Sequence, residues 1–401
     1  MKKVMILGAG YTQLPLFAAA KRLGCSTIAA SIPGDYPCFS VSDKNVYVDL
    51  SDPEAVVEAA RQERIDAVAT CGLDLAMRAF GAVSEALQLP GPSLHAAERA
   101  ANKYKMKCAL KEAGVRTSDF YKLSCEEDLE NALRSLSFPM MLKAVDLMGS
   151  RGIYRCDTAG EARLRFHDCL KESQQDYCLA EKFLDGVLFG AEAMVRNGNI
   201  LFILPNNTET VMTTTLSPIG HSIPLENLSV LQDQITEQVS GAIRALGLDN
   251  CPVNCDLMLV DGRVYVIELT GRSGATGLSE ITGAYFHTDY YEGILRLALG
   301  EDVEPLFRHG SGSCLSHTIS SDKTGILRSL TWEKTEEADV LELSFNVSPG
   351  DYVQRYTNGR DRIGQVILKG TDLAQCKKRL AEILSGIQIT VEQNSALRKE
   401  L

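Results

Sequence analysis

Asp256 and Glu268 lie twelve residues apart, on either side of Asp261-Gly262, and Arg272 follows shortly after. Asp-Gly favours a tight hairpin turn, so the runs 254–260 and 263–269 are expected to pair antiparallel. With one extra loop or bulge residue setting the register, positions 256 and 268 come opposite each other and share a face. Their neighbours are apolar: Cys255, Leu257 and Met258 beside one, Val266, Ile267 and Leu269 beside the other. Like charges in such surroundings need a cation. The pair therefore reads as a Mg²⁺ site shared with phosphate oxygens, rather than as two solvated strand carboxylates.

A second group is cationic. Lys143 interrupts the apolar run Pro139–Ala144 and is followed by Met148-Gly149-Ser150-Arg151-Gly152. A lysine at a strand end is usually a solvated charge, but beside a small-residue loop it can hold polyphosphate through its ammonium and the loop N–H groups. Lys103, Lys105 and Lys107 stand on one expected helix and read as mostly surface. The turn Gly8-Ala9-Gly10 could approach a pyrophosphate, yet Gln13 replaces the third glycine and no acid closes the next strand at Ala29-Ala30-Ser31. The expectation there is a tight turn opening a Rossmann-like domain, without a nicotinamide cofactor. Cys251 and Cys255 lack a second ligand pair and read as buried strand thiols.

These groups must be positioned by elements that are legible in outline. A short apolar run, 4–7, precedes a helix over 14–23 and a second run, 27–30. Asp52-Pro53-Glu54 opens another helix, reaching about Arg64, before a strand over 65–70. That alternation predicts an open, mostly parallel sheet with helices on both faces. Leu228, Leu231, Ile235, Val239, Ala242 and Leu246 form one apolar helical stripe ending at Gly247. The segment 308–313 reads as a linker, followed by strands near 339–345 and 364–368 and a helix over 372–384.

Composition narrows the function classes. The chain has 401 residues, 41 Lys plus Arg against 52 Asp plus Glu, and a net charge of −11, so a nucleic-acid backbone would be repelled. Its 12 cysteines are scattered singly, which suits reduced thiols. The first apolar run is too short for a signal segment, and no run reaches the length of a membrane span. A cytoplasmic protein with no membrane and no nucleic-acid partner is expected.

Taken together, Lys103, Lys143, the Gly-Ser-Arg-Gly loop, Glu181-Lys182-Phe183-Leu184, and Asp256 with Glu268 and Arg272 resemble the ATP-grasp superfamily in order and spacing. The resemblance implies an α/β fold. It consists of a Rossmann-like preATP-grasp domain over 1–98, an ATP-grasp domain over 99–304 with a mobile lid lobe at about 115–185, and a C-terminal α+β domain over 305–401. This tail resembles the extra domain of L-amino-acid ligases, mainly through Asp361-Arg362-Ile363-Gly364.

By resemblance, Lys103 and Lys143 contact ATP phosphates, while the loop containing Gly149, Ser150, Arg151 and Gly152 closes over them. Glu181, Lys182, Phe183 and Leu184 hold adenine, and Glu192 is a further acidic position near the nucleotide. Asp256 and Glu268 hold Mg²⁺, with Mn²⁺ as the alternative metal. Lys143 and Arg272 are the catalytic pair, and Arg272, His221 and Gly274 meet the substrate. Two positions depart from the family: Thr270 stands where many relatives have Asn, and Leu188 where many have Glu. The first weakens a second metal site, and the second removes a ribose contact. The implied activity joins a carboxylate to an amine through an acyl phosphate, with amino acids as the expected small-molecule substrates. A homodimer is the expected assembly. The rival readings are a carbamoyl-phosphate or purine-pathway ATP-grasp ligase and a non-catalytic ATP-binding module.

Overall fold

In a computed structural model the described residues are 1–147, 151–213, 216–332 and 338–393. They fall into two compact units. The first comprises Met1–Pro205, Asn227–Ala275 and Thr288–His309; the second comprises Asn206–Glu226, Thr276–His287 and Gly310–Leu401. In chain order the strands are β1 (Lys3–Leu7), β2 (Ser26–Ser31), β3 (Lys44–Tyr47), β4 (Ala67–Ala69), β5 (Phe120–Leu123), β6 (Met140–Ala144), β7 (Ile153–Cys156), β8 (Cys178–Lys182), β9 (Val187–Arg196), β10 (Asn199–Met212), β11 (Leu216–Ile223), β12 (Cys251–Val260) and β13 (Arg263–Thr270). There follow β14 (Ser313–Ser320), β15 (Gly325–Thr331), β16 (Val340–Phe345), β17 (Tyr352–Val353), β18 (Arg362–Gly370) and β19 (Gln388–Glu392).

The first unit opens with a parallel sheet of order β3-β2-β1-β4. β1 and β2 are continuous apolar runs because both their faces are covered, as parallel sheets require. Asp52 caps the helix Pro53–Glu63 by accepting from the Ala55 N–H, and Arg64 ends it in the left-handed conformation. At the turn after β1, Gly8 takes φ +106°, and the Gln13 carboxamide fills the concavity. Gln13 accepts from the Gly10 N–H at 3.0 Å and donates to the Cys71 carbonyl at 2.7 Å. The donor that would face a pyrophosphate is thus satisfied from within.

A second sheet, antiparallel and of order β5-β8-β6-β7, forms the lobe over which helices Glu126–Ser135 and Ala159–Glu172 pack. Met140, Leu142, Cys178 and Ala180 point to the helices and close a core with Leu129, Ala132 and Phe166. The period of two turns their neighbours Lys143 and Glu181 to the other face. β12 pairs antiparallel with β9 and β13. The helix Leu228–Leu246 lies against β13 and ends at Gly247 with φ +75°.

In the second unit β11 pairs with residues 207–212 of β10 and with β14, and β18 and β16 continue the sheet. β17, β15 and β19 form a further sheet. Leu315, Ile319, Leu327, Val366, Leu368, Leu380 and Ile383 share its core, the last two on helix Leu373–Gly386. No described helix is long and apolar enough to cross a membrane.

Candidate active site

The hairpin β12–β13 sets the acidic part of the site. Asp256 stands opposite Glu268, while the next pair is Leu257 with Val266, so Ile267 is the extra, bulged residue of β13. On the other side of Asp256 lies Gly190 of β9, which carries no side chain. Burial of both carboxylates, expected from their apolar neighbours, is not found: Asp256 is exposed and the Glu268 side chain retains 38% of its accessible surface. Glu268 lines a cleft together with Asp74, Lys103, Leu147 and Thr270. An open wall suits a metal whose remaining ligands come from a bound phosphate. Among the described residues no three His, Cys, Asp or Glu side chains converge as a self-sufficient metal cage. Surrounding protein and the neighbouring Glu268 and Asp74 charges push Asp256 up to about 7. An acid pair short of positive charge fits Mg²⁺ held jointly with phosphate oxygens.

Lys103 supplies one cation. Asn102 caps its helix, Lys103–Glu112, by accepting from the Lys105 N–H, and this places Lys103 at the first helical position. Its Nζ lies 3.1 Å from Glu268 Oε1 and donates to the Leu147 carbonyl at 2.8 Å. Burial opposes its charge, but Glu268, Asp74 and Glu181 raise the Lys103 pKa above the ordinary value. Only Lys105 of the three helix lysines is exposed; Lys103 and Lys107 are buried. A spacing of four residues puts both on the inward face of the helix, which corrects the mostly-surface expectation.

Lys143 and Glu181 meet because of sheet register. Lys143 pairs with Leu179 and Met141 with Glu181, so Lys143 and Glu181 are diagonal neighbours on one face. Lys143 Nζ and Glu181 Oε2 are 3.1 Å apart. The same oxygen accepts from Ser118 Oγ at 2.8 Å and lies 3.2 Å from Lys107 Nζ. Burial opposes ionisation of Glu181, yet Lys107, Lys143 and Ser118 hold it down at about 2. Its second oxygen, Oε1, is buried and has no hydrogen-bond partner among the described residues.

The segment after Glu181 offers backbone. Lys182 and Phe183 spend their N–H groups on the Asp119 and Pro139 carbonyls, at 2.9 and 3.4 Å. The Leu184 N–H has no hydrogen-bond partner among the described residues. The Lys182 side chain is exposed, and the Arg155 guanidinium stacks 4.7 Å from the Phe183 ring centroid. Of the expected closing loop, Met148, Gly149 and Ser150 lie outside the described residues. Arg151 is exposed; Gly152 is buried at φ +62°, and a Cβ there would stand 2.7 Å from that of Ala144.

Arg272 continues the face of β13 two residues beyond Thr270. Its Nε and Nη2 form a two-pronged bridge to Asp74, at 2.8 and 2.7 Å, and Nη1 donates to the Ser273 carbonyl at 2.9 Å. Asn254 Oδ1 lies 3.4 Å from Nη1. Although burial works against its ionised form, the Arg272 guanidinium holds the Asp74 carboxyl below the usual range. Asp74 sits 198 positions away in the chain, so no sequence spacing links it to Arg272.

Glu192, opposite Asn254 on β9, is fully buried. It accepts from the Gly274 N–H at 2.9 Å and from the Tyr290 hydroxyl at 3.3 Å. Burial pushes it up to about 8, against the pull of Arg272 and its hydrogen bonds. In this position Glu192 fixes the Arg272–Gly274 turn. His221 belongs to β11 of the second unit, where Thr208 Oγ1 lies 3.4 Å from its Nδ1. Burial drives its pKa down to about 4, so it is neutral at neutral pH. Cys251 and Cys255 are buried thiols whose pKa values burial raises, which disfavours metal-binding thiolates.

Comparison with known proteins places this frame. Residues 100–276 match the ATP-grasp domain model, and residues 317–392 match the model for L-amino acid ligase C-terminal domain 2. A crystal structure of phosphoribosylglycinamide synthetase from Anaerococcus prevotii is 35% identical and superposes with a TM-score of 0.83 over 98% of this chain and 100% of that one. The L-amino acid ligase from Bacillus licheniformis is 24% identical, with a TM-score of 0.82 over 98% and 99%. The formate-dependent phosphoribosylglycinamide formyltransferase of Chlorobium phaeobacteroides is 25% identical over 81% of this chain and 83% of its own. With this fold, this cation frame and a relative 35% identical over its whole length, the chain belongs to the ATP-grasp family: it is an ATP-dependent, C–N bond-forming ligase whose cofactors are ATP and Mg²⁺.

Proposed function

We propose that this ligase activates the carboxylate of an amino acid as an acyl phosphate and joins it to an amine, giving an amide or peptide. The observation that carries the reading is the meeting of the Asp256–Glu268 pair with Lys103, together with the Arg272–Asp74 bridge just beyond the end of β13. The match of residues 317–392 to the amino-acid ligase domain supports amino acids as substrates.

In the first step a carboxylate oxygen attacks the γ-phosphorus and the bond to the ADP oxygen breaks. In the second, the amine nitrogen attacks the acyl carbon, its C–O bond to phosphate breaks, and the amine gives up a proton. Lys103 and Lys143 donate to phosphate oxygens and offset their charge through the transfer, which is mainly positioning and electrostatics. Asp256 and Glu268 would hold Mg²⁺, which supplies further neutralisation of the polyphosphate when bound. Arg272, its plane fixed by Asp74, faces the negative charge that develops on the acyl oxygens. The Leu184 N–H and Glu181 Oε1 are the acceptor-seeking and donor-seeking groups that suit the adenine edge.

A second reading follows from the name of the formate-dependent relative: a purine-pathway reaction in which formate is the carboxylate and phosphoribosylglycinamide the amine. The test is Mg²⁺-dependent phosphate release from ATP, with amino acids singly and in pairs in one arm and formate plus phosphoribosylglycinamide in the other. Release that needs two amino acids and is lost in Lys143→Ala and Glu268→Ala supports the first reading. Release only in the second arm replaces it.

A further inference from the structure

Lys107 has no place in the reading so far, yet it is among the largest fully buried side chains of the protein, with 1% of its surface exposed. A charged lysine is kept at such a depth only where its partners compensate it. Its Nζ donates to Thr117 Oγ1 at 2.8 Å and to Ser118 Oγ at 3.0 Å, and it lies 3.2 Å from Glu181 Oε2. Thr117 in turn donates to the Val266 carbonyl at 2.8 Å, two residues before Glu268 of the acid pair. Lys107 is therefore anchored on three sides, to the lobe sheet, to the 117–118 segment and to β13.

Lys143 differs. Its side chain is 11% exposed, and Glu181 Oε2 is its hydrogen-bond partner among the described residues. One carboxylate oxygen thus receives Ser118, Lys107 and Lys143 while the other receives no donor among the described residues. An oxygen has two lone-pair directions, so three donors crowd it, and the least anchored of them is Lys143.

We infer that Lys107 is the permanent counter-ion of Glu181 and that it frees Lys143 to move between Glu181 and the phosphates of the nucleotide. Without Lys107, departure of Lys143 would leave a buried carboxylate with no cation. With Lys107, the carboxylate stays compensated by two anchored donors and Lys143 can be lent to the ligand. Lys107 is thus a positioning residue that never touches the substrate. The inference rests on the assignment of Lys143 to phosphate.

The test uses the full chain and five proteins: wild type, Lys107→Met, Lys107→Arg, Glu181→Gln and the double variant Lys107→Met with Glu181→Gln. ATP dissociation constants are measured by calorimetry, and thermal midpoints are measured without nucleotide. Lys107→Met should bind ATP about tenfold more weakly, the size of one charge-assisted hydrogen bond, because Lys143 is now retained by Glu181. Lys107→Arg should stay within about threefold of wild type, since it keeps the charge. The double variant should bind ATP more tightly than Lys107→Met alone, and its midpoint should recover, because the neutral amide introduced by Glu181→Gln no longer holds Lys143. Lys107→Met and Lys107→Arg equally impaired, or a double variant showing the product of the two single losses, would overturn the inference. If Lys107→Met does not fold, the Arg variant decides it together with the double variant, which should bind ATP as tightly as Glu181→Gln alone. Wild type that binds no ATP refutes the assignment of Lys143 itself, an outcome distinct from wild type binding and Lys107→Met binding equally well.

Discussion

Glu192→Gln tests whether a buried acid supports the substrate turn in its protonated form. The carboxyl is raised from 4.5 to about 8, burial being the main cause. Between those values the folded chain keeps a proton that the unfolded chain has released, so stability falls as pH rises from the lower value and levels off above the higher one. For a single site with these two values the loss between pH 5 and pH 8 is about 3 to 4 kcal/mol. Gln has the shape of the protonated acid and does not titrate. Its Oε1 can still accept from the Gly274 N–H, which Glu192 now binds at 2.9 Å. The assay is urea denaturation of wild type and variant at pH 5 and pH 8, followed by the difference of the two differences; titration of Asp256 is common to both proteins and cancels. The variant should be close to wild type at pH 5 and more stable than it at pH 8, by about 3 to 4 kcal/mol. Parallel pH curves for the two proteins would refute the reasoning, because they would mean that Glu192 is ionised in the folded state.

Three further outcomes are expected. Asp256→Asn should raise the thermal midpoint of metal-free protein by relieving like charge, whereas Glu268→Gln should lower it by stripping Lys103 of its 3.1 Å partner; both should abolish Mg²⁺-dependent phosphate release. Arg272→Lys keeps the charge but loses the fork on Asp74, and phosphate-release assays should find kcat/KM down by about a hundredfold with the chain still folded. Gly72→Ala places a Cβ 2.4 Å from Thr12 Cγ2 at φ +58°, and denaturation should register a loss of about 2 kcal/mol. Adding Thr12→Ser should return the steric part of that loss and leave the conformational part.

Short-range chemistry is readable because it depends on neighbours in the chain. Asp261-Gly262 announces its turn through φ +48° and +73°, conformations that few residue pairs tolerate, and the pleat then carries Asp256 and Glu268 to one face. The helix lysines escape such a reading for the opposite reason. Lys103 and Lys107 share a face with Met106 and Leu110 in a helix whose buried side is partly charged, and hydrophobic periodicity cannot report a charge that is buried because it is paired. Glu192, an acidic position near the nucleotide by resemblance, is fully buried, a depth that strand alternation cannot report because it names a face without saying what covers it.

The chain by itself determined the parallel opening sheet, the hairpin with its acid pair and the strand lysine, because apolar periodicity, turn chemistry and residue spacing act over a few residues. Tertiary structure decided the rest. It brought Asp74 to Arg272 across 198 positions, gave Glu181 its buried counter-ion in Lys107, and assembled the second compact unit from three separate stretches of chain. Those contacts are chosen by which surfaces exclude water together and which buried charges find partners, and neither choice is written in any local pattern.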